Sequence, residues 1–381
     1  MANFIYFDNA ASSLPYKEVL DVYYKACLDY YANPSSIHRF GVDCNYLLDK
    51  TRTDILSLLK LDNNYEVIFT SGASEANNLA IKGIAFHYSN RGKHIITSKV
   101  EHPSILEVFA DLKNNFGFDV TYLDVDENGT VKLDELESSI RKDTILVSIM
   151  GVNNETGAIN DLKKIKQICA KYPKIYFHSD LVQGVGKINF DYKNLDLFTI
   201  TGHKIHGLKG CGVLVKKKNI ILSALINGGG QENNFRSGTN DLPHALAFKK
   251  ALEITLKNFK QSFENVAIIK DKLVNYLLSD KENYHLNSCF LNENPYIVNF
   301  STLKKKAAVI VEALSNENIF VSSVSSCHSR KEKNSYVIEE MSHDASLAHN
   351  TIRISFSYLN TIEEVDTLIS TLERIIKSVK Q

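Results

Sequence analysis

Lys204 stands in "FTITGHKIHGLKG" (residues 198–210), where an apolar strand ends and two glycines, Gly202 and Gly207, let the backbone bend. Lysine on a wet surface is only a solvated charge, which is the default for the 44 Lys and Arg residues of this chain. In a desolvated pocket it loses part of its proton affinity and becomes a Schiff-base nucleophile. Its neighbours decide between the two, and three other strand ends carry groups of comparable interest. After "EVIFT", the turn "SGASEANN" opens a helix. The N–H groups of Ala73 and Ser74, the Ser74 hydroxyl and the positive helix end make either a phosphate cradle or an ordinary N-cap. His102, in "EHP" behind "HIITSKV", either stacks on a planar ligand and moves a proton or is a hydrogen-bonded structural histidine. "KIYFHSD" runs into Asp180, with Gln183 one turn on. A carboxylate at the inner end of a buried strand needs a cation, and a protonated pyridine nitrogen is one.

These groups need a sheet to hold them in a row. Seven apolar, β-branched runs recur between residues 66 and 217: "EVIFT", "HIITSKV", "DVTYLDV", "TILVSIM", "KIYFHSD", "LFTIT" and "GVLVKK". Most are separated by stretches of helical period such as "EANNLAIKGIAFHY" and "DLKKIKQICAKY". The alternation predicts an α/β layer fold with a mainly parallel seven-stranded sheet covered on both faces. Ligands of such sheets bind beyond the carboxyl ends of the strands. Phosphate cradle, stacking ring, buried carboxylate and lysine, with Thr201 and His203 beside the lysine, together meet the needs of pyridoxal 5'-phosphate. Past the glycine run, residues 242 to 278 read as one long helix or a pair. "YIVNFST" and "TIRISFS" are the clearest strands of a smaller α+β domain, and "KKKAAVI" reads as a solvated helix start.

Length and charge fit this picture. The 381 residues suggest two or three domains. Basic and acidic residues balance at 44 each, so nothing global points to nucleic acid or an anionic membrane. The start "MANFIYFDNAASSLP" resembles no targeting segment and no later run is long enough to span a membrane, so a cytoplasmic protein is expected. Six scattered cysteines, with no C-x-x-C pair and no zinc spacing, read as reduced thiols, one of them available for reaction.

Long motifs covering nearly the whole chain, among them "YFDNAASSLP", "IFTSGASEANNLAIKG", "DTILVSIMGVNNETG", "FHSDLVQGVGKI", "TGHKIHGLKGCG" and "GGGQENNFRSGTND", resemble the NifS and IscS type of cysteine desulfurase. That family belongs to the class V aminotransferases, fold-type I pyridoxal-phosphate enzymes. The resemblance implies that Lys204 carries the cofactor as a Schiff base. It implies phosphate contacts from Ala73, Ser74, Thr201 and His203, with Thr239 reaching in from the partner of a homodimer. His102 would stack on the ring, Asp180 pair with the pyridine nitrogen and Gln183 touch the phenolic oxygen. Asn154 and Arg353 would orient the substrate carboxylate. A large domain over residues 15–255 and a small one over 1–14 and 256–381 are implied as well.

Cys327 falls where the family keeps its nucleophile. Alone it would read as a small inert hydrophobe. Its setting, "SSVSSCHSRKEKN", with five serines and a basic polar stretch, instead suggests an accessible thiolate. The implied reaction converts L-cysteine to L-alanine and leaves a persulfide on Cys327 for a sulfur-acceptor protein. The chain departs from the family at Val324, Ser326 and His328 around the cysteine, at Leu208, where the family has proline, and at Asn233, where it has arginine. Loss of glycine at 324 should stiffen the loop base. The closing helix "EEVDTLISTLERIIKSVKQ" reads as lacking the tail with which IscS-type members dock a scaffold. Two rivals share these residues: a selenocysteine lyase or transaminase, for which Cys327 is incidental, and a non-catalytic scaffold. Joint retention of Lys204, Asp180, His102, Cys327 and Arg353 argues against the scaffold.

Overall fold

The architecture is that of a computed structural model, which describes residues 4–288, 294–323 and 334–378. The amino-terminal part holds strand β1 (Ile5–Tyr6) and helices α1 (Lys17–Asp29) and α2 (Arg39–Leu58). Then come β2 (Tyr65–Thr70), α3 (Ala73–His87), β3 (His94–Ser98), α4 (Pro103–Phe116) and β4 (Asp119–Leu123). After α5 (Leu133–Ser139) follow β5 (Thr144–Ser148), α6 (Leu162–Cys169), β6 (Tyr176–Asp180), β7 (Leu197–Thr201) and β8 (Gly212–Lys217). Two consecutive helices, α7 (Leu242–Lys257) and α8 (Phe259–Ser279), lead to β9 (Tyr284–Leu286) and β10 (Ile297–Thr302). The rest is α9 (Ala307–Asn316), β11 (Ile319–Phe320), β12 (Ser322–Ser323), α10 (Tyr336–Ser342), α11 (Ala345–His349), β13 (Thr351–Ser355) and α12 (Ile362–Ser378).

The seven strands expected from the apolar runs form one sheet in the order β2-β8-β7-β6-β5-β3-β4. Its central strands are largely apolar because both faces are covered. Val67, Ile96, Val147, Phe198 and Val215 turn to one face, against α2, α6 and α7. Their neighbours Ile68, Ile95, Leu146, Leu197 and Leu214 turn to the other, against α3 and α4. Truncating a residue as enclosed as Phe198 to alanine would cost about 3–5 kcal/mol. β8 alone runs antiparallel to its neighbours. Only ten residues join it to β7, too few for the crossover a parallel neighbour requires. That short link is the segment carrying Lys204.

A four-stranded antiparallel sheet, β12-β13-β10-β9, builds a second core with α8, α9 and α12. It sets Arg353, on the central strand β13, opposite Asn299 on β10 and Ser322 on β12. The amino-terminal segment bridges the two parts. Phe7 is buried in the second core, while Ser13 and Tyr16 hydrogen-bond the backbone of residues 203 and 206. Among the described residues no helix is long and apolar enough to cross a membrane.

Candidate active site

Chain order moves outward from β3 to β4, and β5 then returns on the far side of β3, which opens a crevice beyond the carboxyl ends of these strands. A cavity of about 560 Å³ lies there. It is lined by Ala73, Ser74, His102, Asn154, Asp180, Gln183, Thr201, His203, Lys204 and Arg353, ten of the twelve residues singled out from sequence. Thr239 is exposed and lines a neighbouring cavity of about 200 Å³ that shares Ser71 and Gly210 with the first. Cys327, with Val324, Ser326 and His328, lies outside the described residues.

β7 is buried along its length, and a single helical turn, Gly202–Lys204, follows it. The Thr201 hydroxyl and the Gly202 N–H both donate to the Cys211 carbonyl, at 3.0 Å each, closing the loop on itself. The two glycines let the chain fold back by lacking a side chain and not by a positive φ. His206 takes the left-handed conformation (φ 59°), its ring held by the Leu14 carbonyl at 2.8 Å. The glycines are required by contact. A Cβ on Gly202 would stand 2.8 Å from the Leu208 carbonyl oxygen, and one on Gly207 2.9 Å from that of Gly202. Lys204 Nζ donates to the carbonyls of Ala10 and of Ala11, the latter at 2.8 Å. The amino-terminal segment is therefore the floor of the site, a role sequence reasoning did not assign to it.

Ala73 and Ser74 are the first two residues of the 15-residue α3, and no side chain caps that helix. Its first N–H groups and dipole thus face the cavity with anion-binding capacity. Gly212 presses on the same turn, where a Cβ would meet the Gly72 carbonyl carbon at 2.5 Å.

Asp180 is buried, yet no cation pairs with it among the described residues. Instead Asn77 Nδ2 donates to Oδ2 at 2.8 Å and the Val182 N–H to Oδ1 at 2.9 Å. Two neutral donors leave a carboxylate with lone pairs to spare and an unmet charge, suited to a cationic N–H. The other Asn77 N–H goes to Ser104 Oγ (2.9 Å), itself 2.9 Å from His102 Nδ1. His102 caps α4 by accepting from the Ser104 N–H, which leaves its proton on Nε2. One hydrogen-bond chain thus runs from the imidazole to the aspartate. Adjacent Glu101 accepts from the Met150 N–H with both oxygens (2.9 and 3.1 Å), tying the ends of β3 and β5 together. Burial pushes its carboxyl up to about 8.

His203 is driven down to about 4 by burial and then by the charges of Lys204, Lys209 and Lys187, so it is neutral at physiological pH. Its Nδ1 is buried without a partner, as is Asn154 Oδ1. Arg353 donates from Nη1 to the Asn154 carbonyl (2.9 Å) and from Nη2 to Asp8 (2.8 Å), and its buried Nε is unpaired. Orphaned buried polar atoms beside a cavity mark a site shaped for a polar ligand.

Glu155, next to Asn154, was also missed from sequence. It receives the Ser335 hydroxyl at 2.5 Å, and burial raises its carboxyl to about 7. In "VNNETG" the available signal was a glutamate two residues before the turn glycine Gly157. Asn77, Asp8 and the Ala10 and Ala11 carbonyls carried none.

Comparison with known proteins identifies the family. The family model "Aminotransferase class-V" matches residues 5–368. The NifS/IcsS protein homolog of Lactobacillus delbrueckii subsp. bulgaricus is 39% identical over 97% of each chain. Cysteine desulfurase IscS of Dictyoglomus turgidum is 38% identical over 99% of this chain and 95% of its own. A solved NifS-like protein superposes with a TM-score of 0.92 at 32% identity, covering 99% of this chain and 100% of that one. A family match over residues 5–368 and relatives at 38–39% identity over nearly all of the chain show that it belongs to the class V aminotransferase family.

Proposed function

We propose that this chain is a pyridoxal-phosphate-dependent cysteine desulfurase, which converts L-cysteine to L-alanine and keeps the sulfur as a persulfide on Cys327. The observation that carries the reading is the single cavity in which Lys204, Asp180, His102 and the open amino terminus of α3 converge.

The residues present suit the cofactor part by part. The uncapped first turn of α3, with Ser74 and neutral His203, suits a phosphate, and Thr201 would join them by turning its hydroxyl from the Cys211 carbonyl. Asp180 suits a protonated ring nitrogen and His102 a ring face. Gln183 suits a phenolic oxygen, and Lys204 Nζ an aldehyde carbon. When bound, pyridoxal phosphate supplies an electron sink for the pair left at the substrate Cα. Asp180, held by the Asn77 amide and the Val182 N–H, would set its carboxylate against the ring nitrogen and favour a proton there. Lys204 Nζ holds the cofactor and takes the Cα proton. Arg353 and Asn154 fix the substrate carboxylate, and Arg353 is itself kept in place by Asp8 and the Asn154 carbonyl. The Cys327 thiolate then bonds to the substrate sulfur as the Cβ–S bond breaks. Cysteine and thiol become alanine and persulfide with no outside oxidant.

We also read the working unit as a homodimer. Leu20, Tyr24 and Leu28 form an exposed apolar stripe on α1, with Tyr31, Ile37, Val42 and Tyr46 nearby in sequence. A stripe of this kind calls for a partner surface. Thr239 borders a cavity it shares with Tyr30, Tyr31 and Pro34, beside that face, where it can serve the neighbouring subunit's site. Residues 15–255 would form the cofactor-binding unit, and 1–14 with 256–381 the unit carrying Arg353 and Cys327. The buried free thiols Cys44, Cys169 and Cys211 suit a reducing, cytoplasmic setting, with a sulfur-acceptor protein as downstream partner.

The test is the absorption spectrum of the purified protein with and without L-cysteine, with alanine and sulfide quantified for wild type and Cys327→Ala. A band near ~420 nm that shifts with cysteine, and alanine formed only when Cys327 is present, is the expected result. A yellow protein whose turnover ignores Cys327 would indicate a lyase or transaminase instead.

A further inference from the structure

Lys187 lies four residues beyond Gln183, and its Nζ has Gln183 Oε1, at 2.8 Å, as its one hydrogen-bond acceptor among the described residues. No carboxylate pairs with it there. The charges that face it, Lys204 and Arg353, are both positive, and burial together with these two pushes the amine down to about 7. Lys187 and Lys204 share the wall of a second, small cavity of about 30 Å³, room for a water or two. Its titratable lining offers no anion. Burial holds His206 neutral, down to about 4, and raises the phenols of Tyr16, Tyr296 and Tyr358. A half-buried amine set among positive charges, with no counter-charge among the described residues, costs the fold stability, so its use should lie in the site.

The Gln183 amide is where that use is visible. Its Nε2 donates to the Ala10 carbonyl at 2.9 Å, a group that can only accept, and its Oε1 receives Lys187. Both contacts demand the same orientation of the amide. Ala10 lines the main cavity and Lys187 the small one behind it, so nitrogen faces the ligand side and oxygen the rear. We propose that Lys187 is a positioning residue: by occupying Gln183 Oε1 it commits the remaining Nε2 N–H of that amide to the main cavity, as a donor to the cofactor's phenolic oxygen. Without it the Ala10 carbonyl alone holds that orientation, and the amide turns over more readily, setting lone pairs against that oxygen. The proposal rests on the pyridoxal-phosphate reading above.

The experiment is a pH titration of the visible band of the holoenzyme for wild type, Lys187→Met, Gln183→Ala and the double variant. A donor to the phenolic oxygen draws charge from it and lowers the proton affinity of the nitrogen joined to Lys204. Lys187→Met should therefore raise the midpoint by about half a unit or more, and Gln183→Ala by at least as much. In the Gln183→Ala background, Lys187→Met should add nothing. A Lys187→Met midpoint unchanged from wild type overturns the proposal. So does an equal increment in both backgrounds, which would mean a charge acting directly rather than through the amide. Methionine removes an uncompensated buried charge at similar volume, and Lys187→Leu takes its place if that variant does not fold. A wild-type protein with no visible band would instead sink the cofactor reading, and this proposal with it, a result distinct from a normal band that Lys187 does not move.

Discussion

Lys204 is held by two backbone carbonyls, so its amine is aimed into the cavity before any ligand arrives. Lys204→Ala should abolish the visible band and lower alanine formation by about a thousandfold or more, since one group serves as both anchor and base. Spectrum and turnover together check this, and a variant retaining both would remove Lys204 from the chemistry. Glu155 makes a prediction in pH. Its folded carboxyl is raised to about 7 from an ordinary 4.5, so between those values the native state keeps a proton that the unfolded chain has released. Stability is then lost as pH rises through that window, by on the order of 3 kcal/mol. Glu155→Gln keeps an acceptor for Ser335 and should gain on wild type in thermal melts at about pH 8 and not at about pH 5. An equal gap at both pH values would contradict the assignment. Residues at strand ends were legible in the sequence because an apolar run that stops at Asp or at Gly-His-Lys advertises its position. Glu155 and Asn77 were not, because each acts through a partner far along the chain, Ser335 at 180 residues and Asp180 at 103.

At the scale of elements, the amino terminus of α3 depends on the close passage of β8. Gly212→Ala would drive a methyl group against the Gly72 backbone and shift the turn that presents Ala73 and Ser74. The expected result is cofactor binding weakened by about tenfold and a stability loss of about 1–3 kcal/mol, read by titration and melting. Unchanged affinity in a folded variant would mean that this turn does not hold the ligand. All seven sheet strands were readable from period and β-branching, as was a helix or helix pair from Leu242. The antiparallel course of β8 was not expected, although the short link from β7 contained the reason. The pairing of β1 with β11, through Ile5 and Ile319, was beyond reach because two-residue strands carry no periodic signal. Nor could it be foreseen that His206, rather than either neighbouring glycine, takes the positive φ, since the glycines are fixed by contacts across the folded loop.

The whole molecule brings chemistry from its two ends onto one sheet edge, with Asp8, Ala10 and Ala11 from the start of the chain and Arg353 from near its finish. The exposed stripe on α1, with Ile37 99% exposed, extends this logic to a second copy. Ile37→Asp should shift the protein toward monomer in sedimentation and weaken cofactor retention, because Thr239 would no longer reach a neighbouring site. A dimer unaffected by that change would place the interface elsewhere. Under the proposed function sulfur passes from cysteine to Cys327, and peptide mass spectrometry of the holoenzyme after brief exposure to L-cysteine is the decisive test. The expected result is one added sulfur atom on the peptide carrying Cys327, removed by reductant and missing in Lys204→Ala. Alanine produced at full rate with the Cys327 peptide unmodified would contradict it.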